Sequence, residues 1–313
     1  MQGSAVGVLA TQSAYNQCML WRAALGLLVA LGLATGTATS PTLTVTHTAR
    51  SLQPGELVLL TIVSDVALST LEVRAFDRTE RVQALPPTPT RPHAWISVIG
   101  IDLDVRAGAH IVSVSVGRGA DTTMTQHTLP VTARTFATRR LTVDPDFVNP
   151  PASEAARIKR ETAAIAAAWQ NAVRPDPVPF LSFVAPVPHK ANSAFGKRSV
   201  FNGEVRNAHS GADFLSPAGT AIKSPAPGKV VLAEELYFSG GTVVVDHGLG
   251  IVSLFAHMSK IVATPGADVT QGEVLGLVGS TGRVTGPHLH WTVRVNGARV
   301  DPLSLLALMR PKP

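Results

Sequence analysis

The chain has 313 residues, 45% of them hydrophobic and 15% charged, so it is long enough for two cored domains and too apolar to be disordered through most of its length. Its formal charge is +6, but aromatic residues make up only 5% and no Lys/Arg cluster is interleaved with them, which argues against nucleic-acid binding. A spread positive charge suits a protein that works beside an anionic polymer or surface.

Residues 1–38 read as a targeting segment. Arg22 precedes an apolar run from Ala23 to about Ala34, and the small residues up to Ala38 offer a cleavage site. The run is shorter than the ~20 residues a spanning helix needs, so a cleaved secretory signal is expected, with a periplasmic or secreted product and no stable membrane insertion. An uncleaved signal would leave the protein membrane-anchored. Met19 is an alternative initiator. The single cysteine, Cys18, precedes the apolar run, so disulfides contribute nothing to the mature chain.

Over residues 41–143 the short alternating runs "TLTVTHT", "ELVLLTIVS", "TLEVRAF", "AWISVIGIDL", "AHIVSVSVG" and "HTLPVTART" predict an antiparallel β-sandwich-like domain. His47, His93, His110 and His127 lack metal-ligand spacing there and read as surface or core residues. Residues 144–182 hold a Pro-rich hinge and one amphipathic helix, "SEAARIKRETAAIAAAWQNAV", with Ser153 as N-cap and Ile158, Thr162, Ile165 and Trp169 on one face. "RPDPVPF" stops that helix. Residues 183–303 are again β, in strands such as "GKVVLAEE", "GTVVVDHG", "GIVSLFAHMS" and "GEVLGLVGS", and residues 304–313 read as a tail. The expected fold class is therefore mostly β, with an N-terminal sandwich-like domain, one linker helix and a C-terminal antiparallel β domain.

Five of the ten histidines lie between residues 209 and 290. In "HSGADF", His209 and Asp213 would be about 13 Å apart on a straight strand, so the chain must bend between them, and Gly211 permits it. In "TGPHLHWTVRVNG", alternation puts His288, His290, Thr292 and Arg294 on one face and Leu289, Trp291, Val293 and Val295 on the other. Imidazoles at i and i+2 are about 6.5–7 Å apart, awkward for sharing one metal but natural if one binds it and the other reaches its water or substrate. In "SLFAHMS", His257 ends an alternating strand as it enters a turn, and His247 beside Asp246 reads as structural.

"HSGADF", "LFAHMS" and "STGRVTGPHLHW", in this order, resemble the zinc endopeptidases of the lysostaphin/LytM type, which cut peptidoglycan peptides and have a duplicated hybrid motif fold. The likeness runs through "AFGKRSVFNGEVRNAHSGADFLSPAGTAIKSPAPGKVV" and "NGARVDP", and so over residues 183–303. More loosely, the order of a β domain, "LTVDPDFVNPP" and an Ala-rich helix resembles longer Gram-negative members. The resemblance implies that His209, Asp213 and His290 are zinc ligands and that His257 and His288 are the catalytic pair. Of these two, His288 is expected as base and His257 as oxyanion partner, although the residues themselves leave that order open. The family's Tyr-x-His-Leu-Ser stands here as Phe255-Ala256-His257-Met258-Ser259, and no HExxH supplies an acidic base.

A zinc-dependent peptidoglycan endopeptidase is the expected function. A non-enzymatic cell-wall scaffold or amidase activator would be favoured by loss of a ligand, and none is lost. A lipoyl-type carrier, suggested by "PGKVV" and "GEVLGLV", needs a lysine at a hairpin tip, whereas Lys229 begins a strand. The bond that is cut, a regulatory protein partner, and the role of the N-terminal region as inhibitor, targeting module or spacer are not written in these motifs.

Overall fold

The computed structural model describes residues 41–118, 121–170, 182–192 and 194–310. The expected signal segment lies outside them. Among the described residues no helix is long and apolar enough to cross a membrane.

Eight strands build the N-terminal part: β1 (Leu43–Ala49), β2 (Leu57–Ser64), β3 (Thr70–Ala75), β4 (Arg78–Glu80), β5 (Val82–Ala84), β6 (His93–Gly100), β7 (Gly108–Arg118) and β8 (Asp121–Val131). They form two antiparallel sheets, ordered β1-β2-β6-β5 and β4-β3-β7-β8. Between the sheets, Val58, Leu60 and Ile62 of β2 meet Val73, Val112, Val114, Val116 and Leu129, as alternation requires. The run "AWISVIGIDL" is less strictly alternating, because β6 is covered on both faces. Ile99 belongs to the inter-sheet core, while Ile96 and Val98 pack with Leu57 into the core of the C-terminal part.

That second contact is reinforced by buried polar groups. Glu56, 2% exposed, accepts from Arg50 Nε at 3.0 Å and from the Ser304 hydroxyl at 2.8 Å. Arg50 also donates to Asp301 at 2.8 Å, and the Asp301 N–H reaches the Gly55 carbonyl at 2.7 Å. The described residues therefore form one compact unit.

The linker does not hang free. After the sandwich, β9 (Thr138–Leu141) lies parallel to β10 (Arg198–Phe201), which pairs antiparallel with β11 (Glu204–Ala208). Ser153 is not the cap expected of it. It sits inside a 3-10 turn, Ala152–Glu154, whose N-cap is Pro151, and helix α1 (Ala155–Gln170) follows directly. The buried side of α1 carries Ile158, Ile165 and Trp169 as expected, but Glu161 takes the place expected of Thr162. Glu161 is buried and Thr162 exposed, its hydroxyl turned back onto the Ile158 carbonyl. The buried carboxylate is satisfied, since it accepts the Tyr237 N–H at 2.7 Å and Arg157 Nε at 2.6 Å. Around it, Ala164, Ile165, Ala168 and Trp169 pack against Leu232, Leu236 and Leu254.

The C-terminal sheet comprises β12 (Gly211–Phe214), β13 (Ala221–Lys223), β14 (Gly228–Leu236), β15 (Gly240–Asp246), β16 (Ile251–Ile261), β17 (Asp268–Val269), β18 (Val274–Val278), β19 (Leu289–Val295) and β20 (Ala298–Val300). Its order is β12-β19-β16-β15-β14-β17, with β18 joining β16 to β13 and β20 flanking β19. Helix α2 (Pro302–Leu308) occupies residues expected to be mostly tail. Asp301 caps it, accepting the Leu303 N–H at 2.9 Å, and proline stands at its first turn.

Two expectations follow from this frame. Glu80 is buried against Asn296, which donates to it, and burial pushes its carboxyl up to about 7, with Arg78 offsetting only part of the shift. The folded chain thus holds a proton that the unfolded chain loses near 4.5. That contribution to stability is complete below the unfolded value and disappears as pH rises to about 7, a change of roughly 1–3 kcal/mol. Glu80→Gln should flatten this part of the urea-unfolding profile between pH 5 and 8; an undiminished slope would acquit Glu80. A chain cut to residues 180–313 exposes the surface that Leu57, Ile96 and Val98 cover, and its thermal midpoint should fall well below that of the chain beginning at residue 39.

Candidate active site

The site lies on the polar face of β12 and β19, whose antiparallel register sets Asp213 opposite His290. The other face carries Leu289, Trp291, Val293 and Val295, each 0% exposed, as the alternation of the sequence predicts. The break between β11 and β12 brings His209 back toward Asp213. Main-chain bonds hold that break: the His209 N–H donates to the Lys197 carbonyl and the Gly196 N–H to the His209 carbonyl.

Gly211 acts differently from what its sequence context suggests. It is not among the residues with positive φ. A Cβ there would lie 2.4 Å from the Trp291 carbonyl oxygen and 2.8–2.9 Å from the His290 ring, so glycine is required for room beneath His290 and not for a bend.

Two rings converge on one carboxylate oxygen. His209 Nε2 is 3.0 Å and His290 Nδ1 2.9 Å from Asp213 Oδ1. An ionised carboxylate only accepts, so both rings donate. Burial would raise the pKa of Asp213, but the hydrogen bonds from His209 and His290 hold it well below the usual range. Burial lowers that of His290. The nitrogens and the oxygen all lie within 4.8 Å of one another, and His209 Nδ1 is buried with no hydrogen-bond partner. Two imidazoles and a carboxylate at this spacing suit a tetrahedral zinc ion with an open fourth position.

His257 and His288 stand beside this cluster, their ring centroids 4.9 Å apart, and His257 is 5.9 Å from His290. His257 does not end its strand. It lies within β16, at φ +68°, where the pairing of β15 with β16 slips between Gly241 and Val243. A non-glycine residue in the left-handed region at a bulge is strained, and here the bulge turns the ring out of the sheet's alternation. The His257 N–H donates to the Ser239 carbonyl at 2.8 Å. Its Nδ1 faces the Thr281 carbonyl at 2.9 Å, and His288 Nδ1 faces that of Gly286 at 2.9 Å. A carbonyl accepts, so both Nδ1 atoms carry hydrogen, and in a neutral ring the Nε2 atom is then the acceptor. Burial, followed by the neighbouring His290 and His288, pushes His257 down to about 3, so its ring is neutral.

A cleft of about 700 Å³ opens over these five residues. Its walls contain residues that the motifs do not mark. Arg139 of β9 places Nη1 3.6 Å from Asp213 Oδ2 and donates from Nε to the Ser199 hydroxyl at 3.1 Å. Ile165 and Trp169 of α1 also line it, with the Arg294 guanidinium 5.0 Å from the Trp169 ring. No local signal reveals Arg139, which reaches the site only through the parallel pairing of β9 with β10. The departure from tyrosine at Phe255 does not alter the cleft, because Phe255 points into the core and stacks on Trp291 at 6.1 Å. His247 is fully buried between the Pro227 carbonyl and the Ser253 hydroxyl, a structural role. His47 and His127 pair with each other in the sandwich at 2.7 Å.

A crystal structure from Pseudomonas aeruginosa assigned to peptidase M23 is 33% identical, covers 82% of this chain and 96% of its own, and superposes with a TM-score of 0.62. The sequence model of peptidase family M23 matches residues 207–302. This chain belongs to peptidase family M23. Among curated relatives, the DD-carboxypeptidase/endopeptidase Mpg of Neisseria meningitidis serogroup B is 38% identical over 123 residues, which are 39% of this chain and 28% of that protein. The peptidoglycan DD-endopeptidase ShyA of Vibrio cholerae is 40% identical over 95 residues, 30% of this chain and 22% of its own. The M23 chain thus spans under a third of the curated relatives it matches. All five histidine and aspartate positions lie within the matched M23 segment.

The tight fit of Gly211 gives a direct check on the geometry. Gly211→Ala should displace His290 and lower zinc affinity by about tenfold or more, with the fold retained, as read by competition with a zinc chelator. Unchanged affinity would show that His290 does not hold the metal in its observed position.

Proposed function

We propose that this M23 chain is a zinc-dependent endopeptidase that hydrolyses peptide cross-links or stem peptides of peptidoglycan, exported by its first 38 residues to the periplasm or beyond. The observation that carries the reading is the convergence of three metal-donor atoms of His209, Asp213 and His290 next to two imidazoles whose Nδ1 atoms are held by main-chain carbonyls. The named activities of the Neisseria and Vibrio relatives support the choice of substrate.

His209, Asp213 and His290 would hold the ion. Bound there, zinc acts as a Lewis acid that polarises the scissile carbonyl and brings the pKa of water toward ~7. The rest falls to side chains. His288 Nε2 is placed to take a proton from the attacking water and, once charged, to give it to the departing amine. His257 is held with its Nε2 as an acceptor, so it orients the water by accepting its second hydrogen. This replaces the expected oxyanion role, for which Nε2 would need a hydrogen that the Thr281 contact keeps on Nδ1. Arg139 anchors the outer oxygen of Asp213, leaving the inner one turned toward the two ligand rings.

Single alanine substitutions separate binding from chemistry. His209→Ala, Asp213→Ala and His290→Ala should each lower zinc content in purified protein. His257→Ala and His288→Ala should retain zinc yet lose at least about 100-fold in hydrolysis. The assay is digestion of purified sacculi, with released muropeptides identified by mass spectrometry. Full zinc in all three ligand variants would refute the metal assignment, and zinc-loaded wild type that releases no muropeptide would refute the substrate.

A further inference from the structure

Helix α1 lies on the same face of the C-terminal sheet as the metal-donor cluster. In the register of β16 against β19, Ala256 stands opposite His290, Leu254 opposite Thr292 and Val252 opposite Arg294, and residues directly opposite share a face. Ala256, Leu254 and Val252 are buried, and they pack in one cluster with Ala164, Ile165, Ala168 and Trp169 of α1. The apolar cover given by the helix therefore reaches the row that holds His290. Ile165 and Trp169 are only partly buried by this packing, and both line the cleft together with Leu254 and Ala256. The Arg294 guanidinium carbon lies 5.0 Å from the centre of the Trp169 ring, and its Nη1 donates to the Gly297 carbonyl at 3.0 Å, so the ring rests on a group that is itself tied down. Ile165 and Trp169 stand outside residues 207–302, the stretch that the family model matches.

We propose that Ile165 and Trp169, with Leu254 and Ala256 at their base, form an apolar subsite for the side chain of the residue that donates the scissile carbonyl. The proposal rests on the peptidase reading above. That carbonyl belongs at the donor atoms of His209, Asp213 and His290, and the apolar wall begins one strand away, at the residue paired with His290. Neighbouring strands lie about 4.8 Å apart, within reach of a side chain on the carbonyl-donating residue. Apolar surface inside a cleft is covered favourably by an apolar group, and each methyl group buried strengthens binding about fourfold. Glycine has no side chain to offer, so a glycine-based peptide leaves the wall in water. The donor cluster and the two histidines act on a peptide bond as such, and α1 adds a preference among the residues that carry it.

The test uses the chain from residue 39 onward and two stem-peptide dimers, identical except that the scissile carbonyl comes from alanine in one and from glycine in the other. Binding is measured by calorimetry on uncleavable forms, in which a ketomethylene group replaces the scissile amide, and cleavage of the normal dimers is followed separately by mass spectrometry. Wild type should bind the alanine form at least about fourfold more tightly. Ile165→Ala and Trp169→Ala should each lower that ratio by about half or more, and Ile165→Val, which keeps most of the apolar surface, should retain most of it. The flexibility of glycine acts equally on every variant, so the fall in the ratio reports the wall. Zinc content, which a general loosening of the site would lower, should stay full in all three. Thermal unfolding identifies any variant that fails to fold, in which case the other position carries the test. Equal binding of the two forms by wild type, or an undiminished ratio in every folded alanine variant, would overturn the subsite. Absence of cleavage of either dimer by zinc-loaded wild type would instead count against the peptidase reading, because the binding ratio is read without turnover.

Discussion

The antiparallel register of β12 against β19 is the constraint on which the site depends. Strand side chains alternate, so a slip of one residue would send Asp213 into the core and bring Ala212 or Phe214 to the cleft. The register is held from the apolar side. Trp291 is fully buried, lies 6.2 Å from Phe214 and stacks on Phe255 of β16. Removing a buried aromatic side chain costs roughly 3–5 kcal/mol, whereas a single hydrogen bond contributes about 1 kcal/mol net. The packing of one face thus decides where the metal-donor atoms sit on the other.

Around that pair, the local cost of the site is borne by its neighbours. A residue such as His257 in the left-handed region costs about 1–3 kcal/mol, and the main-chain bond to Ser239 and the ring bond to Thr281 keep it there. The segment that connects the sandwich to the C-terminal sheet is part of the same construction. β9 supplies Arg139, α1 supplies Ile165 and Trp169, and the buried Glu161 ties the helix to the end of β14. The cleft thus has walls from this connecting segment as well as from the C-terminal sheet.

What was legible in the sequence was periodic or clustered. Alternation in "LVLLTIVS" and "LHWTVRV" identified the faces that bury, and the histidine motifs named five residues that the fold does bring together. What stayed hidden depends on tertiary partners. Glu161 is buried on α1 where Thr162 was expected, because its carboxylate accepts the Tyr237 N–H, a partner 76 residues away in sequence. The bulge at His257 arises from a mismatch between two paired strands, which neither strand shows alone. Gly211 looked like a hinge because the space it leaves is filled by a ring 79 residues later in the chain. Helix α2 is only seven residues long, too short for a periodic signal, and is set by the cap at Asp301.

The bond from Asp301 to Arg50 joins residues 251 apart in sequence, and the hydroxyl of Ser304 reaches back 248 residues to Glu56. Contacts of such separation close very large loops, and loop closure of this kind slows folding. In a chain made from its N-terminus, the sandwich can complete its own inter-sheet core early, but its outer face, with Leu57, Ile96 and Val98, must wait for the last strands. During that interval an apolar sheet face and a buried-to-be glutamate stand open to water. The outer face of the sandwich is therefore completed by residues made last, and the final helix, although only two turns long, is the latch that closes it through Ser304 and Glu56.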